Sequence, residues 1–377
     1  MRALIAPDKF KGSLSAAAVA DRLADGMRAA GVDTTTLPLA DGGDGSVEAA
    51  VAAGFAPHPV TVAAALGDPH RARIAVDADT VVVEVANTCG LSTLPQGRLA
   101  ALDAGSLGLG HAVAHAITAR PRRLVIALGG SASTDAGMGL LAGLGYTFRD
   151  HTGNPLPASG RSLARVASVD TTTARSLAGI EIVVASDVTN PLTGPTGAAA
   201  VYGPQKGADH TTVRALDAGL NNLVDAFTRN GVPHARALAD TPGAGSAGGI
   251  GFAALVLGAR LVSGAEYFLD LLDFDHHLAG CDLVVTGEGR IDDQTEHGKL
   301  LTVLARRAHP TPVVAVAGRN ALPAAQWSSA GFDRVFSLGD YTDRDTATDP
   351  DLTGRLLTRI GHHIATSTAT PHPVTAG

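Results

Sequence analysis

Five short loops in this 377-residue chain combine glycine with charge or hydroxyl groups. In "APDKFKGS" (6–13), Asp8, Lys9 and Lys11 precede a helical pattern. Lysines there can meet a phosphate or carboxylate, aided by the positive end of the helix dipole. The same residues also read as a solvated turn capped by Ser13 or Ser15. In "DGGDGS" (41–46), Asp41 and Asp44 flank Gly42 and Gly43. Glycines admit a close ligand and paired carboxylates suit Mg²⁺. The alternative is a plain turn with Asp44 as helix cap. In "GGSASTD" (129–135), Gly129, Gly130, Ser131, Ser133 and Thr134 offer N–H and O–H donors to an anion, or form a capped glycine turn. The Gly-Lys-Ser/Thr ending of a P-loop is missing. In "SDVTNPLTGPTGAAAVYGPQKGA" (186–208), Asp187 ends an apolar run, where a carboxylate faces substrate or metal unless it only closes an Asx turn. Asn190 could assist it. Gln205 and Lys206 stand between glycines, placing Lys206 either against an anion or on the plain surface. In "TGEGRIDDQTEHGK" (286–299), Glu288, Arg290, Asp292, Asp293 and Lys299 crowd a loop that a surface linker would not need to fill with glycine.

The elements around these loops alternate. Apolar runs at 3–6, 34–40, 123–129, 180–186, 282–287, 311–318 and 333–339 read as strands, and helical periodicity follows most of them. Residues 72–86 read as two strands joined at a polar turn. Strands alternating with helices imply an α/β protein with largely parallel sheets, whose ligands sit at the carboxyl ends of strands. The stretch 56–72 is a candidate crossing between domains and 259–274 a candidate return. The pattern therefore suggests a discontinuous domain of residues 1–66 plus 265–377, with 67–264 inserted. The polar tail 365–377 is expected to fray.

Composition removes several function classes. A formal net charge of −7 leaves no footprint for nucleic acid or an anionic membrane. Two cysteines, Cys89 and Cys281, supply neither a disulfide framework nor a four-thiolate zinc site. No apolar run reaches 18 residues, and the amino-terminal run is too short for a signal peptide, so a cytoplasmic protein is expected. "GAGSAG" (243–248) has the spacing of a dinucleotide fingerprint but lacks the strand before it. His111 and His115 stand four apart without the glutamate of a zinc-protease helix. No G-x-S-x-G elbow occurs.

Taken in order, "IAPDKFKGSLSA", "LADGGDGS", "GGSASTDAGMGLL", "SDVTNPLTG", "GPQKGA", "PGAGSAGGIGFA" and "TGEGRIDDQT" followed by "GK" resemble the signature segments of the class I glycerate kinases, over residues 3 to about 320. The resemblance implies transfer of phosphate from ATP to D-glycerate, usually at the 2-hydroxyl, with Mg²⁺. It also implies two α/β domains around a central cleft, one of them discontinuous. A monomer or homodimer is expected. "TCGL" (88–91), "LDAGSLGLG" (102–110) and the segment after Lys299 depart from the usual pattern. Phosphoryl transfer needs alignment, charge neutralisation and a proton acceptor. Lys9, Lys11, Lys206 and Arg290 are the expected charge partners. Asp187 is the expected base or metal ligand, followed by Asp41, Asp44, Glu288 and Asp292. A kinase giving 3-phosphoglycerate, a kinase for another small hydroxy acid and a glycerate-sensing binding protein remain as alternatives.

Overall fold

The structure, a computed structural model, describes residues 1–292 and 300–368. Asp293, Gly298 and Lys299 of the fifth loop, and residues 369–377 of the tail, lie outside the described residues. The chain divides into two compact units. Unit 1 is Met1–Asp41 with the chain from Ala265 onward, and unit 2 is Gly42–Gly264.

Unit 1 opens with β1 (Arg2–Ile5), whose Ala3, Leu4 and Ile5 are fully buried. Helix α1 (Ala16–Ala29) starts where Ser15 Oγ accepts from the Ala18 N–H at 3.3 Å, so Ser15 rather than Ser13 is the cap. Strand β2 (Asp33–Thr36) runs parallel to β1. It is shorter than the 34–40 expected, although Leu37 and Leu39 still donate to the Ile5 and Pro7 carbonyls.

Unit 2 begins with α2 (Ser46–Ala52) and an antiparallel meander of β3 (Ala56–Ala63), β4 (Pro69–Asp77) and β5 (Thr80–Glu84). Residues 56–63 therefore pair within unit 2. The first crossing lies at 41–42, not at the 66–67 suggested by the polar stretch. Next come α3 (Val85–Cys89), α4 (Leu107–Ala116), β6 (Arg123–Ala127), α5 (Met138–Gly143) and a small ribbon of β7 (Thr147–Arg149) and β8 (Ser168–Asp170). After β9 (Glu181–Ala185) follow α6 (Ala198–Tyr202), α7 (His210–Arg229), α8 (Ala235–Asp240), α9 (Ser246–Val256) and β10 (Arg260–Val262). The sheet order is β10-β9-β6-β5-β4-β3, with the first four strands parallel. Strands β5, β6 and β9 are each buried over four consecutive residues, so on both faces, which is why they read as unbroken apolar runs. Phe227 anchors the core, edge-on to Phe148 at 6.2 Å and to Phe252 at 5.7 Å.

The chain then supplies α10 (Gly264–Leu271), α11 (Phe274–Leu278), β11 (Leu283–Ile291), α12 (Leu300–Ala308), β12 (Val313–Asn320), β13 (Arg334–Ser337) and α13 (Pro350–Thr368). Unit 1 has an all-parallel sheet in the order β13-β12-β11-β1-β2. From β1 the order runs one way to β2, and from β11 the other way to β12 and β13. Strands β1 and β11 thus flank a topological switch point, where open α/β sheets bind ligands at their carboxyl ends. Helix α13 packs on α1 through Leu357 and Ile360 against Leu23 and Met27, all fully buried. Among the described residues no helix is long and apolar enough to cross a membrane.

Truncating Ile360 to Ala is expected to destabilise unit 1 by about 2–5 kcal/mol. Urea unfolding checks this, and a cost below about 1 kcal/mol would show that the α1–α13 contact is not part of the unit's cooperative core.

Candidate active site

In unit 1 the first and fifth loops meet at the switch point. Asp8 N–H donates to the Gly287 carbonyl at 2.8 Å, and Thr286 Oγ1 donates to the Ala6 carbonyl at 2.8 Å. The backbone at 289 runs against Phe10 and Lys11. Asp8 is the most perturbed carboxyl here. Burial pushes it up to about 6, Lys9 opposes the rise, and Asp41 adds to it by repulsion. Lys9 Nζ stands 3.5 Å from Asp8 Oδ1, and the Lys9 N–H donates to the same oxygen at 2.7 Å. Lys11 is exposed and Glu288 half-buried. Arg290 is exposed, with Nε 3.1 Å from Asp292 Oδ2. Register places Arg290 directly beside Arg319 of β12, a second guanidinium that sequence reading passed over. Two like charges in adjacent register repel, and an anion between them would relieve that.

In unit 2 the carboxyl ends of four parallel strands form one row, with Glu84, Ala127, Ala185 and Val262 in register. The second, third and fourth loops leave from this edge or lie over it. Gly42 has a φ of +82°, and a Cβ there would fall 2.5 Å from the Ala185 carbonyl oxygen, so only glycine fits. Its carbonyl accepts from the Gly129 N–H at 3.3 Å. A Cβ at Gly129 would in turn collide with the Gly43 backbone. Glycine therefore serves the close crossing of two backbones here. Asp44 does not cap α2: the cap position is Gly45, and Asp44 is exposed. The Val47 N–H instead donates at 2.9 Å to Glu84 Oε2, a buried carboxylate at the end of β5. A lone acid closing the apolar run "TVVVE" was the signal for Glu84, and it was missed.

Asp187 is exposed just past β9. Its Oδ1 accepts from Ser263 Oγ at 2.8 Å and the Gly264 N–H at 2.9 Å, which orients the carboxylate from the neighbouring strand end. Ser263 had no sequence signal, because β10 is remote from β9 in the chain.

Other expectations need correction. Asn190 does not offer its amide outward. Its Nδ2 donates to the Thr196 carbonyl and its Oδ1 accepts from Tyr202, both at 2.8 Å, so it braces its own loop. Ser133 and Thr134 are fully buried, and their hydroxyls have no hydrogen-bond partner among the described residues. Only Gly129, Gly130 and the edge of Ser131 reach the surface of that loop. Gln205 is exposed, but Lys206 turns inward and is only 2% exposed. Its Nζ donates to Ser131 Oγ at 2.9 Å and to the Ser133 carbonyl at 2.5 Å. Burial pushes its ammonium down to about 8, with Asp135 and Cys89 opposing. Asp135 is itself buried, accepting from Ser106 N–H (2.8 Å) and Oγ (2.7 Å), Gly137 N–H (3.0 Å) and Gly139 N–H (3.1 Å). Ser106 lies in the drifted segment 102–110. His111 and His115 are both exposed on α4.

Among the described residues no three His, Cys, Asp or Glu side chains gather as a metal cage. Magnesium requires less, since one or two carboxylates and the substrate phosphates suffice. Asp8 and Asp41, close enough to repel, fit such a partial ligand set.

The sequence profile of the glycerate kinase family matches residues 3–368. The chain belongs to the glycerate kinase family. It is 38% identical over 348 residues to a glycerate kinase of Bacillus subtilis, covering 90% of each chain. It is 37% identical over 355 residues to a glycerate 2-kinase of Escherichia coli, again covering 90% of each. A crystal structure from Salmonella typhimurium assigned as a glycerate kinase 2 superposes with a TM-score of 0.81 at 36% identity, covering 98% of both chains. For a glycerate kinase family member, a neutralised Asp8 should trade stability against function. The Asp8 carboxyl is raised in the folded state, so its stabilising contribution is complete below its unfolded value of about 4 and is lost as pH rises through about 6. In metal-free buffer at pH 7.5, Asp8→Asn should exceed wild type in stability by on the order of 1–3 kcal/mol, with the gap closing toward pH 4. Urea titrations at both pH values decide it. A less stable variant at pH 7.5 would contradict the burial argument.

Proposed function

We propose that this chain transfers the γ-phosphoryl group of ATP to the 2-hydroxyl of D-glycerate, giving 2-phosphoglycerate and ADP. The observation that carries this reading is the 37% identity to a glycerate 2-kinase over 90% of both chains. The loop geometry supports it, because each unit presents charge at the carboxyl edge of a parallel sheet. The same reading sets the enzyme in the cytoplasm, where ATP is held.

Chemically, the glycerate hydroxyl oxygen bonds to the γ-phosphorus while the bond from that phosphorus to the β–γ bridging oxygen breaks. The hydroxyl proton must go to a base, and charge on the transferring group must be offset. Asp187, oriented by Ser263 and Gly264, is the proposed base or metal ligand. Lys9, Lys11, Arg290 and Arg319 are the proposed charge partners, with Asp8, Asp41, Asp44 and Glu288 among the binding groups. Magnesium, when bound to phosphate oxygens, would supply charge neutralisation there. Asp8, Asp41 and Asp292 are the carboxylates of unit 1 proposed to hold it, and Asp187 of unit 2 is the alternative ligand. The 129–131 turn, overlain by Gly42 and Gly43, is proposed to present donors to an anion.

Incubation with Mg-ATP and D-glycerate, with the phosphoglycerate isomer assigned by phosphorus NMR, tests the reading. Release of ADP with 2-phosphoglycerate is expected. The 3-isomer would correct the position of attack, and no glycerate-dependent ADP release would overturn the proposal. Asp187→Ala should lower turnover by at least about 100-fold with the thermal midpoint nearly unchanged. Near-normal turnover would remove Asp187 from the chemistry.

A further inference from the structure

A buried ammonium needs a reason, because taking it out of water is costly unless it is well satisfied. Lys206 lies in a single 3₁₀ turn, Pro204–Lys206, and reaches inward beneath the 129–135 loop. An ammonium only donates, so Ser131 Oγ must accept in the 2.9 Å bond between them. One lone pair of that hydroxyl is thereby taken, and its own hydrogen points elsewhere. Ser131 is 7% exposed and adjoins the exposed Gly130, and no other side-chain bond of its hydroxyl occurs among the described residues. The second ammonium bond, to the Ser133 carbonyl, fixes the backbone two residues on. Two hydroxyls of the same loop, Ser133 Oγ and Thr134 Oγ1, are sealed away from solvent. Ser131, at 7% exposure against none for Ser133 and Thr134, is thus the least enclosed hydroxyl-bearing residue of the loop.

We propose that Lys206 is a positioning residue: its buried ammonium turns the Ser131 hydroxyl into an outward donor for an anionic oxygen held at the 129–131 turn. The inference deepens the kinase reading and rests on it only for the identity of that anion, either the glycerate carboxylate or an ATP phosphate. It replaces the expectation that Lys206 itself touches substrate. It also carries a pH consequence. The titratable groups acting on Lys206 are Asp135, in the same loop, and Cys89, at the end of α3. Burial pushes the Cys89 thiol up to about 11, so it stays neutral as Lys206 titrates near 8. Once Nζ loses its proton it has a lone pair, and Ser131 can then donate inward instead.

Calorimetric titration with D-glycerate and, separately, with ATP tests this without depending on turnover. Ser131→Ala and Lys206→Met should each weaken binding of one of the two probes by about 10- to 100-fold, the value of a charge-assisted donor. The double variant should bind no worse than the weaker single one. Loss confined to D-glycerate assigns the carboxylate, and loss confined to ATP assigns a phosphate. Additive losses, or unchanged binding in Lys206→Met, overturn the proposal. Should Lys206→Met not fold, wild type and Ser131→Ala are compared between pH 7.5 and 9.5, where the glycerate carboxylate is ionised and the terminal phosphate of ATP, with a second pKa of about 6, has lost its last proton. Wild-type binding should weaken above pH 8 while Ser131→Ala stays level; two level profiles overturn the proposal. Absence of phosphoglycerate in the turnover assay would instead fault the kinase reading.

Discussion

Parallel strands all end on the same side of their sheet, and that constraint organises the chemistry of this protein. In unit 2 it lines up Glu84, Ala127, Ala185 and Val262, so that every loop leaving those strands begins at one edge. In unit 1 it sets the turn after β1 beside β11, joined by backbone hydrogen bonds from Ala6 and Asp8. Side chains far apart in the chain become neighbours because their strands are hydrogen-bonded, without any local signal drawing them together.

Close approach at those edges demands small residues. Where the chain passes over β9, Gly42 lies on the Ala185 carbonyl, and Gly129 crosses Gly43 with no room for a side chain. The glycines thus let two backbones cross at close range, while the apolar strands beneath supply rigidity. A family whose substrate is a three-carbon acid has little substrate surface to grip, so dense placement of donors matters more than extent of contact.

The buried charges show how stability is exchanged for that placement. Asp8 sits where desolvation and Asp41 both disfavour its ionised form. Lys206 sits under a loop whose polar groups hold it, while burial opposes its charge. Both therefore carry their charge against a desolvation cost, Lys206 with that cost offset in part by its bonds to Ser131 and Ser133. Asp135 differs in kind. Four donors from Ser106, Gly137 and Gly139 surround it, so it knits a loop and a helix start together.

The sequence by itself determined the fold class, most strand positions and the five charged or hydroxyl-bearing loops, because apolar runs, helical periodicity and glycine placement are local properties of the chain. Its ordered motifs also pointed to the glycerate kinase family. Tertiary structure alone decided which groups face outward. "GPQKG" looks the same whether Lys206 meets solvent or dives under a loop, and "SDVTN" cannot tell that Asn190 braces its own turn. Nor do residues 56–72 reveal that their first half pairs with β4 rather than leading out of a domain. Side-chain direction, cross-strand register and burial arise from pairings between distant segments, and these exist only once the sheets have formed.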